Sequence, residues 1–228
     1  IGHVLVGKFM THGDPVHKVT IIPRGRALGV TAFLPDDDRH SRSREWFEAK
    51  IAMALGGRAA ELIIFGNYTS GAQGDIKQIT ALARQMVCEF GMSQRLGPVN
   101  YASNEGEVFL GRDFAMHKDI SEETARIIDE EVRRIIDEGM IRASELLKEN
   151  SDLMHRMAAL LLERETLDAD EIDMVIRGEE LPPLEVKRMV AARLAGGQTP
   201  ARTGNGQEGG IVVGPDPSGD GNDIGKTP

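Results

Sequence analysis

The sequence predicts a mainly α fold: a helical body with a small β-hairpin element and a C-terminal helical bundle. Three observations carry that prediction. Aromatic residues make up only 4% of the 228 residues, with a single Trp, while hydrophobic residues reach 40%. That composition suits helices packed through Ala, Leu, Ile and Met better than a β-sandwich. Apolar residues recur at helical spacing through most of the chain. Only two short runs, residues 16–22 and 27–34, are rich in β-formers.

The elements follow in order. Residues 1–10 begin inside an apolar segment (Val4, Leu5, Val6, Phe9, Met10) that reads as a helix. It ends at Thr11-His12-Gly13-Asp14-Pro15, a breaker. The two β-rich runs, joined by Pro23-Arg24-Gly25-Arg26, read as a hairpin or neighbouring strands. Ser41 is the expected cap of the next helix. Gly56-Gly57 should break that helix on propensity. Yet Ile51, Ala52, Leu55, Ala59, Leu62 and Ile63 keep helical spacing across the pair. The favoured reading is one helix to about Phe65, with the glycines admitting another backbone; two short helices are the alternative. After a loop over residues 69–74, Asp75 opens an amphipathic helix whose end Gly91 signals. Residues 99–110 read as mostly loop, with a short strand conceivable at 108–110. Ser121 caps a long helix to about Glu149, with Ala125, Ile128, Val132, Ile135 and Leu146 inward. Asn150-Ser151-Asp152 interrupts it. Helices are then expected over 153–164 and 169–177, stopped by Gly178, and over 184–194 after Pro182-Pro183.

The composition shifts near residue 195. Residues 196–228 contain 10 Gly and 4 Pro, and their only apolar cluster is Ile211-Val212-Val213. Such a segment cannot bury enough surface to offset its ordering entropy. The expected organisation is a folded domain over 1–195 and a disordered Gly/Pro-rich tail over 196–228. A net charge of −9 argues against a nucleic-acid partner held by phosphate neutralisation. With Cys88 the only cysteine, an internal disulfide and a Cys-based zinc site are excluded. No apolar run approaches the roughly 18 residues of a membrane span, and the first residues lack a signal-peptide layout. The chain starts at Ile1 rather than Met, which reads as a fragment or processed product.

Few residues stand out chemically. The histidines are His3, His12, His17, His40, His117 and His155. Taken singly, each reads as a surface or half-buried side chain. His3 differs, because it follows Ile1-Gly2 at the start of an apolar helix. A His-Glu pair before Ile1 would make the sequence read His-Glu-Ile-Gly-His. That is the H-E-x-x-H zinc motif, with two imidazoles one turn apart and the Glu as general base. Asp75 reads on its own as an acidic residue at the positive end of a helix dipole; the functional reading is a carboxylate metal ligand. Glu61 reads as a solvated helix-face charge, or else as an acceptor for a metal-bound imidazole N–H. Leu146, Leu153, Leu160 and Leu167 form a heptad ladder. The interruptions at 150–152 and 166–168 favour intramolecular core over a coiled coil. The acidic patch at Asp129-Glu130-Glu131 and Asp137-Glu138, interleaved with Arg133 and Arg134, reads as a solvated face.

Five stretches then match a known pattern in order: residues 15–35 (PVHKVTIIPRGRALGVTAFLP), 56–66 (GGRAAELIIFG), 70–76 (SGAQGDI), 107–113 (EVFLGRD) and 121–136 (SEETARIIDEEVRRII). On these the chain resembles the peptidase domain of the FtsH family of membrane-anchored, ATP-dependent AAA+ zinc metalloproteases. The resemblance implies a Zn2+-dependent endopeptidase. It places metal ligands on His3 and Asp75 and a second-shell acidic residue on Glu61. The first ligand His and the catalytic Glu would fall just upstream of Ile1, so no catalytic general base lies in the chain and the fragment is expected to be inactive. The family often has Ser-Asn before the ligand Asp, where this chain has Gln73-Gly74. The resemblance further implies unfolded polypeptide substrates and a homo-hexamer. ATP and Mg2+ would serve an AAA+ module outside this chain, which contains no G-x-x-x-x-G-K-[ST] loop. Upstream helices would anchor the protein at the cytoplasmic face of the bacterial inner membrane. The alternative function is a degenerate, non-catalytic oligomerisation or scaffold domain of the same family. A helical interaction domain unrelated to proteases would require all five matches to be accidental.

Overall fold

The computed structural model describes residues 1–23, 29–34, 41–102 and 120–185. The chain divides into two compact units, Ile1–Pro183 and Leu184–Pro228. All the elements below belong to the first; of the second, only residues 184 and 185 are described, and they are helical. The tail, the expected strand at 108–110 and most of the expected last helix lie outside the described residues.

Helix α1 (Gly2–Phe9) leads to strands β1 (Val16–Thr20) and β2 (Val30–Phe33). These pair antiparallel, with Lys18 opposite Ala32 and Thr20 opposite Val30 and a bulge between Val16 and Lys18. The hairpin reading therefore holds, with strands shorter than the β-rich runs. Helix α2 (Arg44–Phe65) is continuous through Gly56-Gly57. Its cap is Ser43 rather than Ser41: Ser43 sits in extended backbone and its hydroxyl accepts the Trp46 N–H. Gly66, left-handed at φ 68°, ends it.

A 3-10 turn (Ser70–Ala72) leads into α3 (Gln73–Cys88). Helix α3 stops before Gly91, with Glu89 at its C-cap. Gly91 acts two residues later: its φ of 62° lets the Met92 N–H return to the Met86 carbonyl at 2.9 Å. Helix α4 (Glu122–Glu149) starts from the predicted Ser121 cap. Asn150 separates it from α5 (Ser151–Arg164) and bonds back to the Leu146 carbonyl through Nδ2 at 2.8 Å. A strand absent from the sequence reading, β3 (Thr166–Asp168), pairs with β1 and gives a three-stranded sheet ordered β2-β1-β3. Helix α6 (Ala169–Arg177) follows through an Asp168–Glu171 capping box and ends at Gly178.

The core lies around α2, which packs on α1, α3 and α4. Leu5, Ile51, Ile79, Leu147 and Met157 are fully buried there; burying each stabilises the fold by about 1.5–3 kcal/mol. The residue inward on α4 is Leu147, not Leu146, which is only partly buried. Leu153 and Leu160 pack partly buried against this core and Leu167 is fully buried in it, so these leucines serve the fold rather than a zipper.

Candidate metal centre

The site begins where α1 crosses α2. A Cβ on Gly2 would lie 2.0 Å from the Gly56 carbonyl oxygen, and one on Gly56 would lie 2.7 Å from the Gly2 oxygen. The two backbones touch there, so both positions exclude a side chain. The glycine pair thus does what its helical spacing implied: the helix continues and another backbone comes close.

That crossing sets His3. Its Nδ1 lies 3.0 Å from the Met53 carbonyl oxygen. A carbonyl can only accept, so Nδ1 carries the proton and the lone pair of the neutral ring sits on Nε2. Gly57 clears the space on that side, since a Cβ there would lie 2.4 Å from Nε2. Asp75 arrives from the other direction, in the first turn of α3. Its Oδ2 lies 3.8 Å from His3 Nε2. Two donors at about 2.0–2.1 Å on a tetrahedral ion lie about 3.3 Å apart. The observed spacing exceeds that span by about half an ångström. The side chains are 29% and 38% exposed, so solvent and a metal reach them. The donors, one imidazole and one carboxylate, suit zinc.

Glu61 points to the loop that precedes Asp75. Its Oε1 accepts the Thr69 hydroxyl at 2.7 Å and its Oε2 the Thr69 N–H at 3.3 Å. The acceptor on His3 Nδ1 is the Met53 carbonyl rather than Glu61. His12, His17 and His155 are exposed, in keeping with their plain reading; His40 and His117 lie outside the described residues. Cys88 is buried away from this pair, and burial pushes its thiol pKa up. Among the described residues no three His, Cys, Asp or Glu side chains converge as a metal-binding group. The chain therefore brings together a pair.

Two hollows flank the pair. One, of about 260 Å³, reaches His3 and Asp75 and is walled by Phe33, Met53, Ile79 and Leu82 together with Thr31, Lys50 and Gln78. The other, of about 700 Å³, runs from Thr20, Val30 and Thr31 to His3, Gly71 and Asp75. It borders β2, whose other side has no strand partner among the described residues, because β3 occupies the far side of β1. Leu34 donates its N–H to the Pro15 carbonyl across the ladder. By strand alternation, the Thr31 and Phe33 N–H groups face the open edge.

Sequence reasoning missed Met53, Gly57 and Thr69. Met53 acts through its carbonyl, which every residue has. Gly57 was readable with Gly56 as room for another backbone but not for an imidazole, and Thr69 only as part of a loop.

Comparison with known proteins places this geometry in a family. The family model for Peptidase family M41 matches residues 1–175. The chain is 50% identical over 184 residues to an ATP-dependent zinc metalloprotease FtsH of Acidobacterium capsulatum, covering 81% of this chain and 29% of that protein. It is 53% identical over 183 residues to ATP-dependent zinc metalloprotease FtsH 4 of Sorangium cellulosum, covering 79% and 28%. With ATP-dependent zinc metalloprotease FtsH of Magnetococcus marinus it shares 47% identity over 212 residues, covering 91% and 31%. The chain spans about 30% of the length of these curated relatives. The chain belongs to peptidase family M41.

Proposed function

We propose that this chain is the zinc-dependent endopeptidase module of an ATP-dependent AAA+ protease, with His3 Nε2 and the Asp75 carboxylate as two of the metal ligands. The observation that carries the reading is the 3.8 Å approach of Asp75 Oδ2 to an Nε2 whose lone pair is fixed outward by the Met53 carbonyl. A His-Glu pair one turn before His3 would complete an H-E-x-x-H site, supplying a third protein ligand and a general base.

Bound at this pair, a zinc ion supplies Lewis acidity toward a scissile carbonyl and makes water a nucleophile near neutral pH. The chain's own residues do the rest. Met53 holds the His3 tautomer, and the first turn of α3 presents the Asp75 carboxylate to it. The open edge of β2 accepts an extended polypeptide through backbone hydrogen bonds, which suits unfolded substrates of any sequence. The hollow beside His3, lined by apolar side chains and by Lys50 and Gln78, takes a substrate side chain.

The relatives' names supply ATP dependence. In this reading an AAA+ module with its Mg2+ and ATP unfolds substrate, six copies form a ring, and upstream helices anchor it at the cytoplasmic face of a bacterial inner membrane. Among the described residues, no helix is long and apolar enough to cross a membrane.

The test is casein cleavage by the intact protein and by residues 1–228 alone. The reading expects ATP-dependent, chelator-sensitive cleavage by the first and negligible cleavage by the second. An intact protein that carries His-Glu before Ile1 yet cleaves nothing would favour the scaffold alternative. Thr31→Pro removes an N–H at the open edge and leaves the β1 ladder intact. It should lower turnover about tenfold, and unchanged turnover would remove the edge from the account.

A further inference from the structure

We infer that Thr69 is a positioning residue for Asp75: its hydroxyl, gripped by Glu61, fixes the turn that presents Asp75 to His3. The inference rests on His3 and Asp75 being a metal pair, and it concerns how the chain holds their spacing.

Helix α2 meets His3 directly and the turn before Asp75 along one side. Gly57 lies against the His3 ring, and Glu61, one turn further on, holds Thr69. The hydrogen-bond directions are mutually consistent. Thr69 has one hydroxyl proton, and the 2.7 Å bond to the Glu61 carboxylate uses it. Its oxygen lone pair then accepts the Gly71 N–H at 3.2 Å. The Thr69 N–H also points to Glu61, at 3.3 Å. One carboxylate thus fixes both the backbone and the side chain of the residue that caps the 3-10 turn Ser70–Ala72. That turn runs directly into α3, and Asp75 is the third residue of the helix.

Burial of Ala72 packs the end of this turn, while its other polar anchors are few. Ala72, at the N-cap of α3, makes no side-chain capping bond. Cβ atoms added at Gly66 or Gly74 would meet nothing within 4 Å, so neither end of the connection is packed there. Arg58 holds the preceding residue, with its guanidinium carbon 3.7 Å above the Tyr68 ring. That contact places the loop along α2 and leaves the rotation of residue 69 to Glu61.

The experiment is a titration of Co2+ into the metal-free intact protein, following the visible absorption of the bound ion. It compares wild type, Asp75→Ala, Thr69→Ser, Thr69→Val, Glu61→Leu and the last two combined. Valine keeps the shape of Thr69 and loses both hydroxyl bonds. Thr69→Val and Glu61→Leu should each weaken Co2+ binding about tenfold, the lower end for residues that orient ligands. The double variant should lose well under the product of the two single losses, because both break the shared hydroxyl–carboxylate link. Thr69→Ser should bind within twofold of wild type. Thr69→Val binding within twofold, or losses that multiply in the double variant, would overturn the inference. Wild type that binds no Co2+, or Asp75→Ala that binds as wild type, would overturn the metal pair itself and be distinguishable from those results. Melting temperatures of the metal-free proteins provide the control; the account expects them to agree.

Discussion

Changing Gly57 to Ala separates metal affinity from fold stability. The added Cβ would lie 2.4 Å from His3 Nε2, 2.9 Å from Cε1 and 3.3 Å from Cδ2. Non-bonded heavy atoms are comfortable at about 3.5–4.0 Å, so the ring must withdraw by about 1 Å. It can do so only by stretching or breaking the 3.0 Å bond from Nδ1 to the Met53 carbonyl, which contributes about 1 kcal/mol net. Against that, replacing Gly by Ala inside a long helix returns about 1 kcal/mol. The two nearly cancel. Global stability should change by less than about 1 kcal/mol, while Nε2 moves about half a metal–ligand bond length from its place opposite Asp75. Zinc affinity should therefore fall at least about 100-fold. The assay is competition with a chromophoric chelator on the intact protein, paired with thermal melting in excess chelator. Zinc affinity within threefold of wild type would refute the argument. Gly56→Ala is the internal contrast. Its Cβ would meet the Gly2 oxygen at 2.7 Å and the Gly2 carbonyl carbon at 2.8 Å. That obstacle is backbone and cannot rotate away, so α1 and α2 must separate, at about 3 kcal/mol. Two adjacent glycines should thus give opposite signatures.

Two predictions concern stability. Asp14 is buried and accepts hydrogen bonds from Trp46 Nε1 at 3.0 Å and Lys50 Nζ at 2.7 Å. Burial alone would raise its pKa, but the bonds from Lys50 and Trp46 outweigh it and hold the carboxyl below its usual value. A folded pKa below the unfolded one means stabilisation that is complete above the unfolded value, about 3.9, and lost as pH falls through the folded one. Asp14→Asn should cost about 2 kcal/mol at pH 7 and flatten the acid limb of the stability curve; an unchanged acid limb in urea melts would contradict this. Glu131 is 2% exposed, accepts two 3.0 Å bonds from Arg134 and a 2.8 Å bond from Ser93. Glu131→Ala leaves Arg134 with Glu138 as its remaining carboxylate and takes the buried acceptor from Ser93, and should cost about 2 kcal/mol by denaturant unfolding; a loss under about 0.5 kcal/mol would show the network to be dispensable.

What was legible in the sequence follows how local its cause is. Caps, breakers and apolar stripes act within one or two turns, so α4 and α6 could be placed from Ser121, Asn150 and Gly178. Gly56-Gly57 shows that neighbouring signals must be weighed together: propensity argued for a break, periodicity for a continuous helix, and burial decided. The failures are non-local. Thr166-Leu167-Asp168 is too short to show alternation, and it becomes a strand only because β1 lies beside it. Heptad counting singled out Leu146, whereas the straight helix turns Leu147 inward. At the site, Asp75 was visible as a carboxylate at a helix start and His3 as a histidine on an apolar helix. Their closeness depends on the touching backbones of Gly2 and Gly56 and on the bend of residues 66–72, which no spacing rule encodes.

As proposed, His3 and Asp75 hold one metal ion between them. The most direct test of that pairing is the zinc content of the intact protein purified as wild type, His3→Ala, Asp75→Ala and His12→Ala, with circular dichroism to confirm folding. The account predicts one zinc per chain in wild type and His12→Ala, and under a tenth of that in folded His3→Ala and Asp75→Ala. Asp75→Ala retaining one zinc per chain would contradict it.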